Sequence, residues 1–510
     1  MNSERPHLRD VRDGALLVEY PETSEEEANR AAVSLSRRLP ALAGGGLLDA
    51  IPGARTVLVL FDPARLSRGR LAEEIARRAP GTDGDAARLF RFPAVYDGED
   101  LRELSRAAGL APEEFARRHA SAQYRVAFIG FSPGFPYLTG LPRELAAPRL
   151  PEPRPRVAPG SIAIGGPYTG VYPSATPGGW RLIGRTSVRL FDESAQPPAL
   201  LAPGDRVRFE EVRALEPPVA PPERAAPRSP VLRLSSPGLF TSVQGAPRYG
   251  LGASGIPAGG AMDLASLAAA NAFVGNAPGT PALEVTVLGP DLEALSPCVV
   301  ALAGSDIEAE LNGRNVPGGE AIALAAGDRL RLGRARGGAR CYLALRGGLE
   351  ARRLTRRLEA GEGIAAGREA AVRSSAVRTS RRVEEPLLRV VPGPQADHFG
   401  AGVLERFLAT SWRISPVSDR RGLRLEGPRL DHAREPEIPP EGAVAGSIQV
   451  PGGGLPIVLG PDGPVTGGYP KLATVIAADL PLLGQARPGA RIRFAAVSLV
   501  EAVAARREYH

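Results

Sequence analysis

One position in this sequence is chemically set apart. The 510 residues include 63 basic side chains, and a single one of them, Lys471, is a lysine. Arginine stands at every other basic position, so a lysine kept here points to a need for an ammonium. An ammonium is a compact charge with three donors, whereas a guanidinium is a fixed planar fork. Lys471 follows a glycine turn, VTGGYP, whose backbone amides could join it in neutralising a phosphate or a developing oxyanion. The plain alternative is a lysine left on a solvated face. A second constellation is the aromatic and glycine-rich run FIGFSPGFPYLTGLP with PGGW downstream. Phe131, Phe135, Tyr137 and Trp180 could form a flat apolar wall for a small planar ligand or a nucleotide base, with Arg185 beside it for an anion. Packing at a barrel mouth is the competing role for each aromatic.

Several chemistries have no carrier. There is no G-x-x-x-x-G-K-[ST] phosphate loop, no G-x-S-x-G elbow and no paired Cys/His spacing for zinc. The five histidines are widely spaced. The net charge of +7 comes from arginines interleaved with acids, without a basic block, so no nucleic acid is expected as a partner. No apolar run approaches the roughly 20 residues of a membrane helix. With two cysteines and a polar N-terminus, a soluble chain of reducing cytoplasm is expected.

The elements that must position these residues are short strands. The 60 glycines and 51 prolines fall between short apolar runs, which predicts a mainly β protein. Residues 1–95 read as a small α/β subdomain of βαβαβ order. Its strands are 14–20, 56–61 and 89–96, with a helix capped by Ser24 and Glu27 and another starting at Asp62. Residues 96–212 read as a helix over 112–120 and then a β-barrel, and 213–230 as a proline-rich linker. Residues 231–503 read as further barrel, with one helix over 263–274. The segments APGDRVRF (202–209), AAGDRLRL (325–332) and RPGARIRF (487–494) repeat a glycine turn and an alternating strand. They predict three related β modules, although Gly-Asp turns before strands are common in β proteins at large.

On PGFPYL, GLP and PGGW, residues 1–212 resemble the allophanate hydrolase subunit 1 family, which includes the B subunit of 5-oxoprolinase and a sporulation kinase inhibitor. Residues 231–503 resemble allophanate hydrolase subunit 2, which includes the C subunit of 5-oxoprolinase and the carboxyltransferase region of urea carboxylase. That second likeness rests on GIPAGGAMD, ALEVTVLGP, DRRGLRLEGP, GSIQVPGGGLPIVL and VTGGYPKLATVIAADL. The resemblance implies cyclophilin-like barrels and a fused B–C pair of an ATP-dependent 5-oxoprolinase, partnered by a separate LamB/YcsF-type polypeptide, the A subunit. It also implies a small-molecule amide substrate, ATP and magnesium.

Carried onto this sequence, the resemblance proposes Lys471, Thr466, Tyr469, Arg420, Arg424 and His119 as catalytic. It proposes Gly467, Gly468 and Gln449 for binding, and Asp263 and Asp462 for magnesium. Arg420 or Arg424 would hold a carboxylate, or else pair across a strand; Asp263 has a second assignment, as a helix cap. The sequence departs from the family at Tyr168, Gly245, Pro464 and Val465 and in a reduced loop at 351–363. Two other roles fit the kinship: a carboxyltransferase-like component of a urea or amide carboxylase, and a non-catalytic regulator of a sensor kinase. With methionine only at positions 1 and 262, no Ala-Met-Lys-Met site exists for covalently bound biotin.

Overall fold

The computed structural model describes residues 6–21, 23–42, 45–77, 87–217, 229–351, 353–367 and 385–509. Most of the predicted linker, residues 218–228, lies outside them.

The N-terminal unit is a four-stranded antiparallel sheet of His7–Arg12, Ala15–Glu19, Leu47–Pro52 and Thr56–Phe61, with the last two exchanged in spatial order. Helices Glu25–Leu42 and Arg68–Ala76 accompany it. The expected capping box forms: Ser24 Oγ accepts from the Glu27 N–H, and Glu27 Oε2 accepts from the Ser24 N–H, both at 3.3 Å. Two expectations are corrected. The second helix starts at Arg68 under the cap of Ser67, while Asp62 accepts from the Ala64 N–H in a preceding turn. Strand Leu89–Ala94 leaves this unit, so the order is not βαβαβ. It pairs in parallel with Arg206–Glu211, in the next sheet.

That next sheet has seven strands, and a bridge between Val95 and Arg185 joins its two edges, so it is nearly closed. A curled nine-stranded sheet follows, built around the long strands Cys298–Leu311 and Arg329–Leu345. The last is a closed seven-stranded barrel containing Lys471–Val475 and Arg491–Ala496. Closure removes exposed strand edges. The protein is therefore mainly β with barrel modules and an α/β unit at its N-terminus.

The sequence repeat marks one equivalent turn in each of these three sheets. Gly204, Gly327 and Gly489 all have positive φ, at 95°, 90° and 84°, which glycine adopts without strain. Their N–H groups donate to Val126, Ala294 and Ile414 carbonyls, each at 2.7 Å. Asp205 and Asp328 close the turn by accepting from the N–H three residues earlier. Ala490 lacks that contact, and its turn keeps the backbone bond from Ala490 N–H to the Arg487 carbonyl.

Helix Leu264–Val274 forms as expected. The second half also holds Val403–Ala409, Leu480–Gln485 and Leu499–Tyr509, which the single-helix expectation missed. No helix among the described residues is long and apolar enough to cross a membrane.

Candidate functional site

A cavity of about 650 Å³ opens where the two halves meet. The first half contributes Phe131 and Pro133. The second contributes Arg248, Val287, Arg340, Arg353, Thr355, Arg420 and Asp462. Two of these wall residues hold backbone conformations that side-chain-bearing residues avoid: Phe131 at φ 64° and the β-branched Val287 at φ 60°. Each costs of order 1–3 kcal/mol, and such strain concentrates at binding and catalytic sites.

The floor of the cavity is a buried charge network. Arg420 donates to Asp462 through Nε (2.7 Å) and Nη2 (3.1 Å), to Glu284 through Nη1 (2.6 Å) and to the Gly260 carbonyl through Nη2 (2.7 Å). Glu284 is fully buried and also accepts from the Tyr342 hydroxyl (2.7 Å) and the Met262 N–H (2.9 Å). Burial alone would raise the Glu284 pKa, but Arg420 and Arg340 outweigh it and hold the carboxyl below its ordinary range. Burial likewise opposes the charge on Arg420, and Glu284 and Asp462 raise its pKa in spite of that. Arg420 is thus a fixed hub, not the free carboxylate clamp expected.

Arg248 is the under-compensated cation. It is half-buried and donates to the Arg353 carbonyl at 2.7 Å. It forms no ion pair among the described residues. Burial, together with the nearby Arg420 and Arg353, depresses its pKa against the pull of Asp462 and Glu193. An anion in the cavity would relieve that cost. Beside it, Thr355 Oγ donates to Asp462 (3.1 Å) and accepts from Gln244 Nε2 (3.0 Å), and the buried Gln244 Oε1 has no partner.

Lys471 is elsewhere. Its side chain is fully buried on a barrel strand and ion-paired with Glu441, which also accepts from Gln395 Nε2 at 2.7 Å. It is not among the residues that line this cavity, so in place of the expected contact with a phosphate the structure shows an internal ion pair. Thr466 and Gln449 are buried close by, with Thr466 Oγ and Gln449 Nε2 unpartnered. Gly467 packs on Gln449, and the Gly468 carbonyl accepts from the Ile438 N–H. Tyr469 is half-buried. This cluster abuts the first half directly: a Cβ on Gly130 would collide with Thr466 Oγ.

Other expectations are also corrected. Phe135, Tyr137 and Trp180 are buried in an aromatic core with Phe128, Tyr168 and Tyr172, because edge-to-face contacts fill that barrel end. Phe131 alone among the four reaches the cavity. Arg185 is exposed and paired with Asp97 at 2.8 Å. Arg424 projects outward from its strand and is exposed. His119 is buried between Tyr96 Oη (2.8 Å) and Thr169 Oγ (2.9 Å), inside the first half's barrel. Asp263 caps its helix through the Ser266 N–H and bonds Gln485. Asp462 is held by Arg420. Neither carboxylate is placed for magnesium, and no group of three or more His, Cys, Asp or Glu side chains converges among the described residues.

Sequence reasoning missed Arg248, Thr355, Gln244 and Glu284. Arg248 is one arginine among many and carries no signal. Glu284 falls inside ALEVTVLGP, a segment that carries the family likeness, and Gln244 stands beside the departure at Gly245, so a polar residue in an apolar strand could have been flagged at each.

Comparison with known proteins divides the chain into the same two halves. Carboxyltransferase domain, subdomain C and D, matches residues 6–201, and carboxyltransferase domain, subdomain A and B, matches residues 254–496. The chain is 44% identical over 169 residues to the 5-oxoprolinase B subunit of Escherichia coli O157:H7, spanning 32% of this chain and 77% of that protein. It is 33% identical over 294 residues to the 5-oxoprolinase C subunit of Escherichia coli K12, spanning 54% and 95%. The crystal structure of TTHA0988 superposes with a TM-score of 0.84 at 36% identity, covering 96% of this chain and all of that one.

Proposed function

This chain belongs to the carboxyltransferase-domain family and joins its C/D and A/B subdomains in one polypeptide, and from that membership we propose that it is the fused B and C component of an ATP-dependent 5-oxoprolinase. The observation that carries the reading is the shared cavity. Relatives of the two halves are named as separate subunits of one enzyme, and here the walls of a single arginine-lined cavity come from both.

5-Oxoproline is a five-membered lactam bearing a carboxylate. Its amide resists water, and phosphorylation of the lactam oxygen makes the carbon attackable. The chain's tasks are to hold the carboxylate, seat the ring and offset transferring charge. Arg248 is the residue for an anion, since its guanidinium forms no ion pair among the described residues and only the more distant Asp462 and Glu193 offset its charge. Phe131 offers an apolar face to the ring. Arg420, locked by Glu284 and Asp462, keeps the floor of the cavity rigid, so the groups around the substrate need not reorganise. ATP would provide the phosphoryl group. The residues expected to hold magnesium do not fit that role, so no step is assigned to it. A LamB/YcsF-type polypeptide completes the reaction.

The test is reconstitution. The chain, its LamB/YcsF-type partner, ATP and 5-oxoproline should release glutamate and phosphate together, and omission of either polypeptide should stop both. Arg248→Met should lower kcat/KM about 100-fold, equivalent to about 2.7 kcal/mol of lost charge-assisted binding, with thermal unfolding unchanged. No glutamate from folded components would refute the proposal. Carboxyl transfer from carboxybiotin by the same chain would favour the carboxyltransferase reading, to which the family's description lends support.

A further inference from the structure

A second cavity, of about 530 Å³, lies between the N-terminal sheet and the closed barrel. Pro257, Gly259, Gly463 and Pro464 line both cavities and so form a common wall. The proposed reaction makes no use of this second space. Its character is different: Ile51, Leu60, Met262, Val444 and Leu459 give it an apolar body. Its volume falls within the roughly 300–1,000 Å³ of small-molecule sites.

Four charged residues line it. The carboxylates face backbone donors: Asp49 accepts from the N–H groups of Ala50, Gly250 and Gly252, and Asp62 from that of Ala64. The guanidiniums are less occupied. Arg12 gives Nη1 to the Ala445 carbonyl at 3.0 Å, while its Nε is buried with no partner. Arg506 gives Nη1 to the Asp13 carbonyl at 3.1 Å and stands 3.8 Å from the Asp13 carboxylate. Asp13 Oδ1 accepts from the Ala477 N–H, while Oδ2, the oxygen that faces Arg506 as its ion-pair partner, has no hydrogen-bond donor among the described residues.

We propose that this second cavity binds a small molecule with an apolar body and a single carboxylate, its head on Arg12 and Arg506. A buried guanidinium N–H without an acceptor is costly, and a carboxylate satisfies it with charge-assisted bonds. The apolar walls select the body of the ligand and the two arginines its head.

Calorimetric titration of the full chain with octanoate and, separately, octanol reads both halves of the proposal without ATP or any partner. Octanoate should bind one per chain, at least tenfold more tightly than octanol. Arg12→Met should bring octanoate to the level of octanol. Ala445→Phe should weaken both at least tenfold by filling the space, and Ala258→Phe, from the opposite wall, repeats the test should the first variant misfold. Equal affinity for the two probes overturns the carboxylate head. Unchanged binding in a folded filling variant, or no heat from either probe, overturns the site. Because ring opening is not measured, failure here leaves the proposed function standing, and failure there leaves this site standing.

Discussion

Lys471 sits on a strand of the closed barrel with its amine sealed against Glu441, and Gln395 bonds both the Glu441 carboxylate and the Lys471 backbone N–H. The lone lysine is accounted for by space as well as charge. Its side chain is fully buried, and the longer, forked guanidinium would have to displace packed neighbours. Removing one partner of a buried ion pair leaves the other charge uncompensated, at about 3–5 kcal/mol. Lys471→Met should therefore lower the unfolding free energy by about that amount in urea titration, and adding Glu441→Gln should recover much of it. A Lys471→Met protein as stable as the wild type would return the lysine to the catalytic account. His119 makes a second prediction at this scale. Thr169 Oγ spends its proton on the Ala163 carbonyl, so His119 Nε2–H must donate to it, and Nδ1 accepts from Tyr96. Burial lowers the His119 pKa from 6.5 to about 3, and the hydrogen bonds fix the same neutral form. A base whose folded pKa is depressed contributes stability that is complete above pH 6.5. The unfolded chain binds the extra proton below that, so the contribution declines by about 1.4 kcal/mol per pH unit toward pH 3. His119→Gln should remove this component of the slope when urea midpoints are compared between pH 7 and pH 4. An unaltered slope would mean that His119 is charged inside the barrel.

At the scale of elements, what was legible followed from local rules. The Ser24–Glu27 box and the Asp263 cap each depend on a neighbour three residues away, and helix Pro112–Ser121 on a proline at its first position. The glycine turns at 204, 327 and 489 also show in the sequence, because a left-handed residue before an alternating strand leaves a fixed signature. Sheet membership does not show. LFRFPA reads as a strand either way, and only the parallel partner 117 positions later decides that it completes the barrel and not the N-terminal sheet. The site was half legible for the same reason. Phe131, Arg420 and Asp462 were singled out and do meet in one cavity. Tyr137 and Trp180 belong to the same aromatic run as Phe131 yet point into the core. A flat apolar wall and a packed barrel end have the same composition, and Phe131, in a left-handed turn, stands at their boundary: its ring packs on Phe135 and Tyr172 and also lines the cavity. Arg248 was invisible because its significance is an absence of ion pairing, which is a property of the fold and not of a motif.

At the scale of the whole molecule, the two halves are joined by far more than the polypeptide between them. One hydrophobic cluster crosses the boundary, with Val11, Leu17, Ile51 and Leu58 from the first half enclosing Val444 from the second. Hydrogen bonds surround it: the Ala54 N–H to the Pro440 carbonyl at 2.8 Å, Asp49 to the Gly250 and Gly252 N–H groups, and the Asp13 carboxylate to the Ala477 N–H. Arg353 reaches across from the cavity wall to the Glu193 and Ala195 carbonyls at 2.7 and 2.8 Å. Buried apolar area and satisfied backbone donors of this kind are what hold separate subunits together, so covalent fusion should be dispensable. Residues 1–217 and 229–510 produced as two polypeptides should therefore co-elute as a 1:1 complex in size-exclusion chromatography. Val444→Asp, which buries a carboxylate in the shared cluster, should split the pair while each fragment keeps its circular dichroism. Arg353→Ala, at the rim, should weaken the pair by a smaller factor. Fragments that elute separately with Val444 intact would show that the joining segment, and not the interface, keeps Phe131 opposite Arg248. The cavity would then depend on the tether alone.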